Sequence, residues 1–207
     1  MQALKHKIKQ TIKHSALFEL YVQNASRKTK FKFIDTKTIT LISIAFNNHT
    51  IIALQLVLIK KYLSDNHELI VLDNSTDIYS QNEIKRICDK CQVPYISVPK
   101  QRFLNFAGSA SHGFALNCGK NIFASCSSQY VGFLDHDIFP FRSTAISSFF
   151  ATGAVVSGLL QKRESIWYIW PGFAFFDNRF LQQSKSNFMP HAGLDTRGSL
   201  FFLITGI

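Results

Sequence analysis

Residues 38–77 read TITLISIAFNNHTIIALQLVLIKKYLSDNHELIVLDNSTD, and their pattern decides the fold. Residues 38–46 form a β-rich apolar run, 48–63 have the length and periodicity of a helix, and 67–77 are a second strand running into a polar turn. The alternation continues outward from this unit. SQNEIKRICDKC (80–91) reads as a polar-faced helix, VPYISVP (93–99) as a short strand, SHGFALNCGKNIFASC (111–126) as a helix and QYVGFLDHD (129–137) as a fourth strand. Strands alternating with helices predict an α/β fold: a mostly parallel central sheet with right-handed crossovers and helices on both faces.

In such sheets ligands bind beyond the carboxyl ends of the strands. That makes the polar strand ends a set: Asn47 and Asn48 after the first strand, Asp73, Asn74 and Ser75 after the second, and Asp135, His136 and Asp137 after the fourth. Carboxylates against a core are costly unless paired, hydrogen-bonded or holding a metal. If residues 133–137 stay extended, Asp135 and Asp137 project to one side, about 7 Å apart, and His136 points the other way. Such a pair suits a hard divalent cation, Mg²⁺ or Mn²⁺, and leaves room for phosphate oxygens, although two solvated loop acids give the same spacing. Asp73 has the position of an acid that contacts a ribose or a base, and equally that of a turn former in DNS.

Composition narrows the function classes. The 207 residues, 46% hydrophobic, support one main domain. The formal charge of +10 is concentrated: residues 1–37 hold nine Lys or Arg against Glu19 and Asp35, whereas the remainder holds 14 against 11. The basicity belongs to an N-terminal arm, and no basic and aromatic interleaving marks a base-stacking surface, so no nucleic-acid partner is expected. In that arm Leu4, Ile8, Ile12, Leu17, Leu20 and Tyr21 recur at helical spacing between lysines, which predicts a basic amphipathic helix. It either packs on the domain or lies on an anionic membrane surface. Residues 1–37 are then a helix and linker, and 38–207 the main domain. No signal peptide and no membrane span is expected, which implies a cytoplasmic location, peripheral on the inner membrane face. Cys88, Cys91, Cys118 and Cys126 do not form a disulfide scaffold, and reduced thiols are the simpler reading than zinc or redox use.

The chain resembles the family 2 glycosyltransferases, which have the nucleotide-sugar-binding A-type fold. The resemblance rests on TLISIAFNNH, ELIVLDNSTD, the segment HGFALNCGKNIFASCSSQYVGFLDHDIFPF and GLDTRGSLFFL, in that order, over roughly residues 38–200. It implies a metal-dependent sugar transfer from a nucleoside-diphosphate sugar donor to a glycan or lipid-linked acceptor. Ala45, Asn47, Asp73, Asn74 and Asp135 are then donor-binding residues. Asp135 and Asp137 look like the motif that binds ribose, metal and diphosphate, with Asp137 the more direct ligand.

Two departures stand out. The first strand continues as IAFNN without the usual proline, and the acidic pair that marks the catalytic base is reduced to Asp195 in LDTRG. Asp195 is assigned as general base, a role that can coexist with capping the next helix. His191 either completes the metal site or is a surface loop histidine. His112 and Asn117 lie on a helix that the family places near the donor. WYIWPGFAFFDN (167–178) has the aromatic density of a core strand, the default reading, and also of a sugar-stacking wall; Trp170, followed by an expected Pro171-Gly172 turn, is the candidate for acceptor contact together with Gly172. A catalytically inactive transferase-like binding protein is the alternative, and an Asp-x-Asp phosphohydrolase ranks below both because three strand and helix units precede the motif.

Overall fold

The computed structural model describes residues 20–21, 24–29, 31–33, 37–100, 108–163, 166–184 and 186–190. The elements run β1 (Ile39–Ala45), α1 (His49–Tyr62), β2 (His67–Asp73), α2 (Ile78–Cys91), β3 (Tyr95–Ser97), α3 (Gly108–Phe123), β4 (Tyr130–Asp135), a 3₁₀ turn (Ile146–Phe150), β5 (Val156–Arg163), β6 (Ile166–Asp177) and α4 (Asn178–Gln183). The six strands form one sheet in the order β3-β2-β1-β4-β6-β5. The first four strands pair in parallel, as the alternating pattern predicts. The other two add an antiparallel ribbon beside β4.

β1 is buried at every residue because it lies between β2 and β4 with helices over both faces. Its side chains alternate accordingly. Ile42 and Ile44 face a core shared with Phe114, Phe133 and Phe176, while Ile39, Leu41 and Ala45 face one shared with Ile52, Ile59 and Ile84. Ala25, Phe31 and Phe33 pack against the first of these cores, so the end of the basic arm docks on the domain. The amphipathic helix expected over residues 4–21 lies almost wholly outside the described residues. Among the described residues no helix is long and apolar enough to cross a membrane.

The helix starts are set locally. The Asn48 side chain accepts from the Ile51 amide and Asp77 accepts from the Ser80 amide, each satisfying a donor that a helix start leaves open. α2 stops at Gln92, which takes the left-handed conformation at φ 56°. All four cysteines are free. Burial pushes the Cys88 thiol up to about 12 and the Cys118 thiol to about 11, so both are unreactive core groups.

Two buried polar side chains fix the frame around the strand ends. Ser43 of β1 donates to Gln55 Oε1 at 2.5 Å, and Gln55 Nε2 donates to the carbonyls of Asp135 (2.9 Å) and Ile138 (2.6 Å). Gln55, the single break in the apolar run of α1, therefore clamps the turn that leaves β4. Replacing it with leucine leaves the Ile138 carbonyl and the Ser43 hydroxyl without this partner, the Asp135 carbonyl keeping its bond from the Ile138 amide, and unfolding in urea is expected to show a loss of about 1–3 kcal/mol. Lys120 of α3 donates to the Ser184 and Ser186 carbonyls (3.0 Å each) and to Ser186 Oγ (2.8 Å), closing the segment after α4.

Burial lowers the Lys120 ammonium to about 8. A lysine depressed in the folded chain and ordinary in the unfolded one binds fewer protons when folded. Its contribution to stability is complete above the unfolded value and declines as pH falls toward about 8. The melting midpoint of the parent chain is accordingly expected to rise relative to that of Lys120→Met as pH rises from 8 to 10, which thermal denaturation at stepped pH would measure.

Candidate active site

The carboxyl ends of β1, β2 and β4 open on one edge of the sheet, because the three strands are parallel and in register. A cleft of about 240 Å³ lies there, lined by Ile44, Phe46, Asn74, Thr76, Ser111, His112, Asp135 and His136. β1 supplies its floor, the β2–α2 loop one wall and the start of α3 the other. Asn74 and Ser111 bridge these walls with an Nδ2···Oγ hydrogen bond of 3.1 Å.

Asp135 is the last residue of β4, and its carboxylate is divided between two neighbours. Oδ1 pairs with His112 Nε2 at 2.9 Å, both side chains about one-fifth exposed. Oδ2 lies against Gly172 of β6, where a Cβ would also come within 2.5 Å of Trp170 Cζ2. The glycine thus makes the space in which the carboxylate sits, with the indole at its side. Pro171 and Gly172 do not form the turn expected of them: they lie within β6. The β5–β6 ladder is irregular there, Gly158 opposing Ala174 and Leu160 opposing Ile169, and the β4 ladder has ended at Phe173. Proline's missing amide therefore removes no ladder bond.

The chain turns immediately after Asp135, with the Ile138 amide donating to the Asp135 carbonyl at 3.0 Å. Strand alternation consequently ends at Asp135, two residues before the expected Asp137, and the extended path over 133–137 expected to carry both carboxylates to one side is not formed. His136, expected to face away, lines the cleft instead. Asp137 is exposed on the turn and is not part of the cleft wall.

The other predicted donor residues occupy the frame. Asp73 is fully buried, its Oδ1 accepting from the Ser75 amide and its Oδ2 from the Tyr95 hydroxyl, both at 2.8 Å. Burial first, and then the Asp73 carboxylate, hold the Tyr95 phenol well above its ordinary value, so it stays protonated and donates. The Ala45 carbonyl accepts from the Asn74 amide at 2.9 Å. Asn47, at φ 49°, accepts at Oδ1 from the amides of Thr76 and Asp77 and binds the two loops together. Asn117 does not line the cleft: it ties α3 to the segment after α4, donating to Asn187 Oδ1 at 2.9 Å and accepting from the Phe188 amide at 3.3 Å. His191 and Asp195 lie outside the described residues. Sequence reasoning missed the pairing of His112 with Asp135 and the place of His136; the first needs the α3–β4 geometry, and the second needs the turn at 136–137.

The likeness to solved structures decides what kind of sheet this is. The chain superposes on a mannosyltransferase from Pyrobaculum calidifontis in complex with GDP-Man and Mn²⁺, with a TM-score of 0.52 at 16% identity, covering 86% of this chain and 56% of that one. It superposes on TarS from S. aureus with a TM-score of 0.50 at 14% identity, covering 80% of this chain and 33% of that one.

The chain has the A-type glycosyltransferase fold.

It spans about half the length of the first of these proteins and a third of the second. No family model and no curated protein sequence matches the chain. Among the described residues, Asp135, Asn74 and His112 meet at the carboxyl edge of this sheet. Among the described residues no three His, Cys, Asp or Glu side chains converge as a metal cage. Of the two expected carboxylates Asp135 alone lines the cleft; a carboxylate there is the kind of donor that Mg²⁺ or Mn²⁺ takes when phosphate oxygens and water fill the remaining positions.

Proposed function

We propose that this chain is a glycosyltransferase that takes a nucleoside-diphosphate sugar as donor, and that its donor cleft is the one closed by Asp135, Asn74 and His112. The observation that carries the reading is the position of Asp135: at the end of β4, on the ligand-binding edge of an A-type sheet, in a space kept free by Gly172. Asp135 and Asp137 hold the divalent cation, Mg²⁺ or Mn²⁺, with His191 as a further ligand. The cation supplies charge stabilisation for the departing diphosphate.

His112 orients the Asp135 carboxylate, and Asn74 meets the nucleoside side of the donor. Asp73, Ala45 and Asn47 act on that pocket by fixing the loops that line it. Asp195 is the general base: it takes the proton from the acceptor hydroxyl as that oxygen bonds to the anomeric carbon and the bond to the diphosphate breaks, an inverting transfer. Trp170, beside Gly172, offers an apolar face to a glycan or lipid-linked acceptor, and the basic arm of residues 1–37 gives the chain a peripheral hold on an anionic membrane.

A second reading, donor binding without turnover, is favoured by the single acidic residue at Asp195 where a pair is expected. A panel of nucleoside-diphosphate sugars assayed for transfer and donor hydrolysis with the parent chain and Asp195→Ala separates the two. Turnover lost in Asp195→Ala with donor binding retained is the expected result. Binding with no turnover by the parent chain, whatever the acceptor, supports the second reading.

A further inference from the structure

A second cavity, of about 310 Å³, opens on the other side of the turn that carries Asp135 and Asp137. Its base is the sheet itself, Leu41, Leu134, Phe173 and Phe175, and its sides include Ile59 from α1 and Ile146 from the 3₁₀ turn. It is almost entirely apolar, and its volume is at the lower end of the roughly 300–1,000 Å³ typical of small-molecule sites. The hollow is open to solvent, so an apolar ligand that covers its walls removes apolar surface from water, which is favourable.

The mouth has a distinct chemistry. Phe141 and Arg142 stand there, Phe141 79% exposed and the Arg142 guanidinium 5.8 Å from its ring centroid. The same loop is tied to the end of α1, Thr144 accepting from the Ser64 amide and donating to the Tyr62 carbonyl, each at 2.9 Å. The last turn of α1 carries Lys60 and Lys61, both exposed. Asp65, the carboxylate on the adjoining segment, is committed to the Ile146 and Ser147 amides at 2.6 and 3.3 Å. A deep apolar hollow thus opens beside an arginine and next to a helix end bearing two lysines.

We propose that this cavity binds a single hydrocarbon chain ending in a phosphate. The chain enters between Phe141 and the 3₁₀ turn and replaces water there with contacts to Leu134, Ile146 and Phe175, while the phosphate stays at the mouth and pairs with Arg142. The site is separate from the donor cleft, so it stands whether or not nucleotide sugars bind.

The test is a calorimetric titration of the full chain with dodecyl phosphate below its micelle concentration, beside dodecyltrimethylammonium and inorganic phosphate. Saturable binding of one dodecyl phosphate is expected, with at least tenfold weaker binding of the cationic amphiphile and of inorganic phosphate. Arg142→Glu, a change at an exposed side chain, should weaken dodecyl phosphate at least tenfold without altering the melting midpoint of the free protein. Equal binding of the two amphiphiles, binding unaffected by Arg142→Glu, or no saturable binding would each overturn the proposal.

Discussion

Asp135→Asn is expected to lower sugar transfer by about 10²–10³-fold while leaving the melting midpoint nearly unchanged. The substitution keeps the shape of the side chain and a hydrogen-bonding partner for His112, whose Nε2 lies 2.9 Å from Oδ1. What it removes is the charge that would hold the cation at the departing diphosphate. The loss should therefore appear in kcat more than in the binding of the sugar or nucleoside portions. Steady-state transfer measured beside a thermal melt checks both halves. Activity within threefold of the parent chain would take Asp135 out of the reaction.

Gly172→Ala is expected to cost nearly as much, about 10²-fold, although glycine has no functional group to lose. A Cβ at this position would come within 2.6 Å of Asp135 Cγ and 2.5 Å of Trp170 Cζ2, inside van der Waals contact with both. The carboxylate must then leave its position against β6 and strain its pairing with His112. Because the two changes act through the same group, the Gly172→Ala and Asp135→Asn double variant should be no worse than Asp135→Asn alone. Multiplicative losses would show that Gly172 serves something other than the carboxylate.

The parts of the fold legible in the sequence are those where burial leaves one reading. β1, β2 and β4 sit inside the sheet and show as apolar runs, and α1 and α2 carry their caps at Asn48 and Asp77, where the apolar pattern changes period. The β5–β6 ribbon was less legible. VSGLLQKR lies at the edge of the sheet and mixes exposed leucines with polar residues, and PG within β6 has the composition of a turn but sits at a ladder irregularity.

At the site, the strand ends could be read because parallel topology sends them to one edge. Which of their side chains line the cleft could not. Asp73 is turned inward by the Tyr95 hydroxyl, a partner 22 residues away on β3, and Asp135 meets a histidine 23 residues before it on α3. His136 reaches the cleft because β4 stops at Asp135, one residue before alternation would have turned it away. Such contacts are made by packing between elements, which periodicity along the chain does not encode.

The central claim is that Asp135 and Asp137 hold a divalent cation together with the diphosphate of a sugar donor. The most direct test is calorimetric titration of nucleoside diphosphates and their sugars into the parent chain and Asp137→Ala, with and without Mn²⁺. Asp137 is exposed on its turn, so its removal leaves the fold intact. The parent chain is expected to show Mn²⁺-dependent binding that Asp137→Ala weakens at least tenfold. Binding that is independent of Mn²⁺, or equal in the two proteins, would contradict it.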